Sequence, residues 1–165
     1  MKKPISIITI CIFAAVLVLV TINRLSSSKN EEAVRAGELE FVTGASSTYY
    51  SYDESSEAYT TFSTEMRRRN GDVFEKEYSG IKLKDIFSDL GIPVSEGMSV
   101  TVVCSDNYEI ILSGPEIMED GNIYLVTRES GAKLDEESGP FMLVVNHDEF
   151  STRWAKNVIK IKTDG

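Results

Sequence analysis

The chain has 165 residues, a mass of 18.3 kDa and a formal net charge of −9 at pH 7. Binding to a phosphate backbone requires a basic surface, so this charge excludes a nucleic-acid-binding protein. The length predicts one folded domain behind an N-terminal segment, and such a domain is large enough to bury a core without disulfide bonds.

An apolar run from Ile5 to Ile22 follows Lys2 and Lys3 at the N-terminus. As a helix this uncharged run is about 27 Å long, close to the hydrocarbon thickness of a bilayer. The run therefore favours a signal-anchor, a transmembrane helix over residues 1–25, and the alternative is a cleaved signal peptide that releases a secreted protein. The short basic tail favours a domain on the extracytoplasmic side, joined through a polar, flexible linker over residues 26–37.

Residues 38–165 are predicted to be the folded domain, and most of its predicted elements are strands. Alternating or continuous apolar runs predict strands at 38–42, 60–69, 98–104, 108–112, 123–126, 141–145 and 158–162, with a return strand starting at 73. Asn70-Gly71 is a strong hairpin signal, which places Arg67, Arg68 and Arg69 at a hairpin tip.

Helical signals are fewer in this domain. Apolar residues at 83, 86, 87 and 90 have helical spacing, and Gly91 follows them as a stop signal. Residues 114–121 predict a short helix or turn, and Tyr49–Tyr59 predicts a short strand with a helical turn. Because strands dominate without a β-α-β order, we predict an α+β fold with a mixed, mostly antiparallel sheet.

Four short motifs give a resemblance to a known family. They are Tyr78-Ser-Gly-Ile-Lys-Leu83, Asp106-Asn107-Tyr108, Gly139-Pro140 before an apolar strand, and Arg153-Trp154-Ala-Lys156 before the last strand. Their order resembles the sulfite-oxidase-type molybdopterin-binding domain over roughly residues 60–162. The resemblance implies an α+β sheet sandwich and an oxidoreductase ancestry.

The resemblance also implies where a cofactor would bind. It places Asp106, Asn107 and Tyr108 in the turn that the family writes D-G-Y, where Asn tolerates a positive φ angle. It places Arg153, Trp154 and Lys156 in the segment near the pterin phosphate.

Two further residues depart from the family pattern, and three others allow two interpretations. Met142 replaces the family's arginine and Asn146 its closing proline. Arg67 and Arg68 could bind an anion such as a pterin phosphate, whereas the alternative is a solvated tip neutralised by Glu75 and Glu77 across the ladder. Trp154 could stack on a ligand or belong to the core.

The metal ligand is the main departure from the family. The family holds molybdenum through a cysteine thiolate upstream of the first motif, and between Cys11 and Cys104 this chain has no cysteine. We expect Cys104 to be a buried apolar residue and the single histidine, His147, to lie in a surface loop without a metal. The sequence therefore predicts no protein-bound metal. The resemblance implies molybdopterin or another anion as the ligand, if one is bound.

Three functions follow from these observations. The first is a membrane-anchored, extracytoplasmic domain that has lost catalysis and acts as a binding or accessory module. The second is a redox subunit that binds molybdopterin and passes electrons to a partner protein. The third is a cell-surface interaction domain that has kept only the fold.

Overall fold

A computed structural model describes residues 12–21, 32–34 and 37–164 of the chain. The described domain contains ten strands, two short α-helices and a 3₁₀ turn. The strands are β1 (Glu38–Thr43), β2 (Ser46–Ser51), β3 (Tyr59–Arg67), β4 (Val73–Lys82), β5 (Ser99–Cys104), β6 (Glu109–Ser113), β7 (Ile123–Glu129), β8 (Ala132–Lys133), β9 (Met142–Val145) and β10 (Val158–Thr163). The helices are α1 (Leu83–Asp89) and α2 (Gly114–Met118), and the 3₁₀ turn is Ser151–Arg153.

The strands form two five-stranded sheets. The first has the order β2-β1-β10-β5-β6, and the second has the order β3-β4-β7-β8 with β9 also paired to β7. The β1–β10 pair is parallel and the other described pairs are antiparallel. The fold is therefore α+β with mostly antiparallel sheets, as predicted.

One apolar core joins the two sheets. Leu39 and Phe41 from the first sheet belong to the same buried cluster as Ile81 and Leu125 from the second. Burial of such side chains is the main driving force for folding, at about 1.5–3 kcal/mol for each. Tyr52 ties the sheets further, because its hydroxyl donates to the carbonyl of Leu125 at 2.7 Å and accepts from the amide of Ile81 at 3.0 Å.

Helix α1 buries the apolar residues whose spacing in the sequence predicts a helix. Leu83, Ile86 and Phe87 share one face of the helix and are fully buried. The helix ends where Gly91 adopts a φ of 66°, and the amide of Ile92 donates back to the carbonyl of Phe87 at 2.9 Å. The predicted helix and its stop signal are confirmed.

Two local predictions differ from the structure. The strand expected within Tyr49–Tyr59 lies earlier, at β2, and turns rather than a helical turn follow it. The tip arginine Arg67 is neutralised by Glu65 on its own strand and not by Glu75 or Glu77. The ladder explains this, because Glu75 lies opposite Glu65 and Glu77 opposite Ser63.

The N-terminal predictions fall mostly outside the described residues. Residues 12–21 of the predicted anchor are helical, and the other residues of 1–25 are outside the described part. No helix in the described part of the chain is both long and apolar enough to cross a membrane. Within the predicted linker, residues 32–34 are helical and Val34 is buried in the core cluster, so this part of the linker packs on the domain.

Candidate functional site

The 3₁₀ turn joins three of the predicted ligand-binding groups. The hydroxyl of Ser151 donates to the carbonyl of Arg67 at 2.9 Å, at the end of β3. The hydroxyl of Tyr108 donates to the carbonyl of Thr152 at 2.9 Å. Arg153 ends the turn. The structure therefore brings the hairpin tip, the β5–β6 turn and Arg153 together, although they are far apart in sequence.

The guanidinium of Arg153 is already neutralised within the chain. Its Nε donates to Asp148 at 2.8 Å, and its Nη2 donates to Glu116 at 2.6 Å and also to Asp148. These hydrogen bonds, first to Asp148 and then to Glu116, raise the pKa of Arg153. A guanidinium paired with two carboxylates has little attraction left for an external anion.

Glu116 is the second member of this cluster and belongs to a helix cap. Its Oε2 accepts from the amide and the hydroxyl of Ser113 at 2.8 and 2.7 Å, which forms a capping box at the start of α2. Burial opposes ionisation, but the hydrogen bonds from Arg153 and Ser113 outweigh it and lower the pKa of Glu116 to about 2.

Arg153 also covers the free edge of the first sheet. Its Nη1 donates to the carbonyl of Ile111 at 3.4 Å, and β6 is the edge strand of that sheet. On the same strand, the backbone amide of Ser113 donates a hydrogen bond to the carboxylate of Glu116. A charged side chain on an edge carbonyl is a common way to prevent edge-to-edge pairing, so Arg153 has a structural role here.

The turn predicted to replace D-G-Y has the expected backbone. Asn107 has a φ of 67°, and the Oδ1 of Asp106 accepts from the amide of Tyr108 at 2.9 Å. Tyr108 is 43% exposed. This turn therefore presents one accessible aromatic side chain.

Trp154 and Lys156 point to different surroundings. Trp154 is 9% exposed, and its indole N–H donates to the carbonyl of Val145 at 2.9 Å, so it belongs to the core. The ammonium of Lys156 binds Glu137 at 2.8 Å in the loop before β9. The predicted segment 153–156 thus divides between the sheet edge, the core and a surface loop.

The described residues do not fit the attachment of a metal through a thiolate. Cys104 is 1% exposed, and burial, with a contribution from Asp106, raises its pKa to about 11. A metal-binding cysteine needs a lowered pKa and an accessible sulfur. Among the described residues no group of three or more His, Cys, Asp or Glu side chains could hold a metal ion.

Sequence reasoning did not identify a cleft of about 630 Å³ beside this region. Leu134, Pro140 and Ile159 line it with apolar side chains, and Asp135 and Glu136 are among its polar lining residues. Its volume is in the range of clefts that bind small molecules. The Leu134–Pro140 stretch is predicted from the sequence to be a polar loop, and only the folded chain shows that it borders a cleft.

The chain matches no protein-family model, and no curated protein matches it. Its fold is similar to that of the sulfane dehydrogenase SoxCD from Paracoccus pantotrophus, with a TM-score of 0.63 at 17% sequence identity. The match covers 77% of this chain and 38% of the SoxCD chain, so this chain spans well under half of that neighbour. The likeness supports, at the level of the fold, the distant resemblance to the sulfite-oxidase-type domain.

Proposed function

We propose that this domain is a binding module that keeps the fold of an oxidoreductase domain without a thiolate-bound metal. The observation that carries the proposal is the contrast between its two candidate sites. The Arg153 guanidinium is neutralised by Asp148 and Glu116, whereas the cleft walled by Leu134 and Ile159 is open. A small or peptide ligand in this cleft would be bound mainly through apolar contact.

The first test is elemental analysis for molybdenum, with an absorbance scan, on the full chain produced in a host that makes the cofactor. We expect folded protein without stoichiometric metal, because Cys104 is buried and protonated. Stoichiometric molybdenum would contradict the proposal. Native mass spectrometry on the same sample shows whether an organic ligand copurifies.

A variant tests whether the cleft is the site. Ile159→Trp adds bulk at the cleft wall and should remove the copurified ligand. Arg153→Lys keeps the charge at the sheet edge and should retain the ligand. Retention in Ile159→Trp together with loss in Arg153→Lys would place the site at the sheet edge instead.

A redox subunit that binds molybdopterin without a protein thiolate is the competing proposal. The fold likeness to a dehydrogenase favours it. It requires bound pterin and a reversible absorbance change on reduction, neither of which a pure interaction domain at a cell surface would show. A partner protein recovered by crosslinking, with no ligand bound, would favour the interaction domain.

We also propose that the N-terminal segment anchors the domain on the extracytoplasmic side of a membrane. The support is the uncharged run from Ile5 to Ile22 behind Lys2 and Lys3. Resistance of the chain to alkaline extraction from membranes, with protease access to the domain from the outside only, is the expected result. A processed, soluble chain would show the secreted alternative instead.

A further inference from the structure

Most basic side chains of residues 37–164 are paired with a carboxylate, but two neighbours at the end of the β3–β4 hairpin are not. Residues 37–164 contain 12 Lys and Arg against 24 Asp and Glu, a balance of −12. Nine of these 12 basic side chains have a carboxylate oxygen within 4.0 Å. Within residues 37–164 the exceptions are Arg68, Arg69 and Lys133, and the first two are neighbours at the hairpin end.

Apolar side chains are exposed next to these two arginines. We call residues 67–74 the hairpin tip. Val73 is 49% exposed and Phe74 is 40% exposed, although both are large apolar residues. The guanidinium carbon of Arg68 lies 5.0 Å from the centre of the Phe74 ring, a cation–π contact. The hairpin tip has three arginines against one carboxylate, that of Asp72, which accepts from the side chain of Asn70. It therefore combines a net positive charge with exposed apolar surface.

The hairpin tip extends beyond the second sheet. Strand β4 pairs with β7 from Tyr78 to Lys82, so Val73–Glu77 pairs only with β3. This two-stranded part has five residue pairs and is about 17 Å long. One further support is the hydrogen bond from Ser151, in the 146–151 loop, to the carbonyl of Arg67. At the base of this part the amide of Ser130 donates to the carbonyl of Glu77 at 2.9 Å, and Lys76 pairs with Glu129.

The hairpin tip lies at the end of the domain where the chain enters it. Strand β1 starts at Glu38, and its parallel partner β10 starts at Val158, opposite Cys104 at the end of β5. The β5–β6 turn is therefore at the same end of the first sheet as Glu38, about 15 Å away across three strand spacings. Tyr108 in that turn contacts the 3₁₀ turn, which in turn contacts the tip.

We propose that the hairpin tip contacts an anionic lipid surface. Positive charge attracts the lipid headgroups, while Val73 and Phe74 enter the interfacial region. A lipid surface is favoured over an acidic protein because the chain also has an apolar helix at residues 12–21. Its large side chains, from Ile12 to Val20, are 49–70% exposed. This contact is independent of the cleft and of any ligand in it.

The charge balance sets the expected strength of the contact. One basic residue near an anionic surface strengthens binding about fivefold, so two arginines alone give a weak contact. The net charge of −12 over residues 37–164 repels the rest of the domain from an anionic lipid surface. The contact is therefore limited to the tip, is sensitive to salt, and orients the domain rather than anchoring it.

The test places an indole at the tip of the full chain through Phe74→Trp. The chain is mixed with vesicles of phosphatidylcholine alone, or of phosphatidylcholine with phosphatidylglycerol, each with brominated acyl chains that quench indole fluorescence on contact. Buried Trp154 is the internal reference. We expect quenching of the introduced indole with the anionic vesicles, much less with the neutral ones, and loss of the difference at high salt.

Charge-reversal variants make the test specific. Arg68→Glu in the same background should weaken the tip contact at least about fivefold. Lys133→Glu makes the same change in net charge at the third unpaired cation, on β8, and should leave the quenching unchanged.

Four results would overturn the proposal. They are equal quenching with both vesicle types, quenching with neither, equal effects of the two charge reversals, and release of the tip by inorganic phosphate at constant ionic strength. The last result would identify a site for free phosphate.

Discussion

At the scale of single residues, Arg153 shows how context decides the role of a charged side chain. The sequence motif suggests a phosphate contact, whereas the fold surrounds the guanidinium with Asp148 and Glu116 and directs it to the carbonyl of Ile111. The side chain of Asp148 is 17% exposed, and both of its carboxylate oxygens accept hydrogen bonds from Arg153. Removing Arg153 leaves two partly buried carboxylates without compensation.

We predict that Arg153→Ala lowers the free energy of unfolding by about 1–3 kcal/mol, because charged hydrogen-bond partners lose their donor. Urea denaturation measures this change. Arg67→Ala is the matched control, since the Arg67–Glu65 pair is about half exposed, and it should change the free energy by less than about 0.5 kcal/mol. Equal effects of the two substitutions would contradict the structural role of Arg153.

The lowered pKa of Glu116 makes the free energy of unfolding depend on pH. Its pKa is about 2 in the folded chain against an ordinary value of 4.5, so its contribution to stability is fully present above pH 4.5 and is lost as the pH falls towards 2. Glu116→Gln lacks this titration. We therefore expect the wild type to lose its advantage over the variant between pH 4.5 and 2, measured by denaturation at each pH. Parallel curves over this window would show that Glu116 is not stabilised as an anion.

At the scale of elements, Gly80 in the Tyr78-Ser-Gly motif has a packing role. A Cβ at this position would lie 2.3 Å from the carbonyl oxygen of Leu125 and 2.7 Å from the Cα of Val126. The β4–β7 ladder shifts register between Ser79 and Gly80, where the two backbones approach closely. The glycine is needed for sheet pairing, whether or not a cofactor binds.

We predict that Gly80→Ala destabilises the domain by about 2 kcal/mol or more, because backbone atoms on both strands must move. Gly97→Ala is the control, since nothing lies within 4 Å of a Cβ at that position. Thermal unfolding followed by circular dichroism compares the two. A small loss of stability in Gly80→Ala would mean that β7 can move away from the added methyl group at little cost in free energy.

The elements that the sequence predicts well are those with a local signal. The helical spacing before Gly91 predicts α1, and the Asn70-Gly71 turn predicts the β3–β4 hairpin, because both patterns lie within a few residues. Strand β8 has two residues and the 3₁₀ turn has three, too few for any periodic pattern. Asp148, one of the two carboxylates that neutralise Arg153, is only five residues away, but Glu116 is 37 residues away. The cleft brings Val34 together with Ile159, a separation that local patterns do not report.

At the scale of the whole molecule, β10 completes the first sheet. It lies between β1 and β5, and it pairs with β1 in parallel across about 120 residues of sequence, as in Glu40 with Lys160. Without β10 the β1–β2 and β5–β6 hairpins have no shared partner. Val158 and Ile161 of this strand are also fully buried.

We predict that a chain truncated after Asn157 loses cooperative unfolding, because the first sheet separates into two hairpins and its core side is exposed. Circular dichroism with temperature measures the transition. A chain truncated after Thr163 retains β10 and should keep the transition. A cooperative transition in the shorter chain would show that the second sheet folds alone.

The central position of β10 also has a consequence for the timing of synthesis. Both hairpins of the first sheet are made before the strand that joins them, and the ribosome releases β10 only after β1, β2, β5 and β6. Until then a nascent chain carries two hairpins whose inner edges have no neighbour and can pair with other chains. The domain should therefore be most prone to misassembly during its own synthesis, and a slow step late in translation would extend that period.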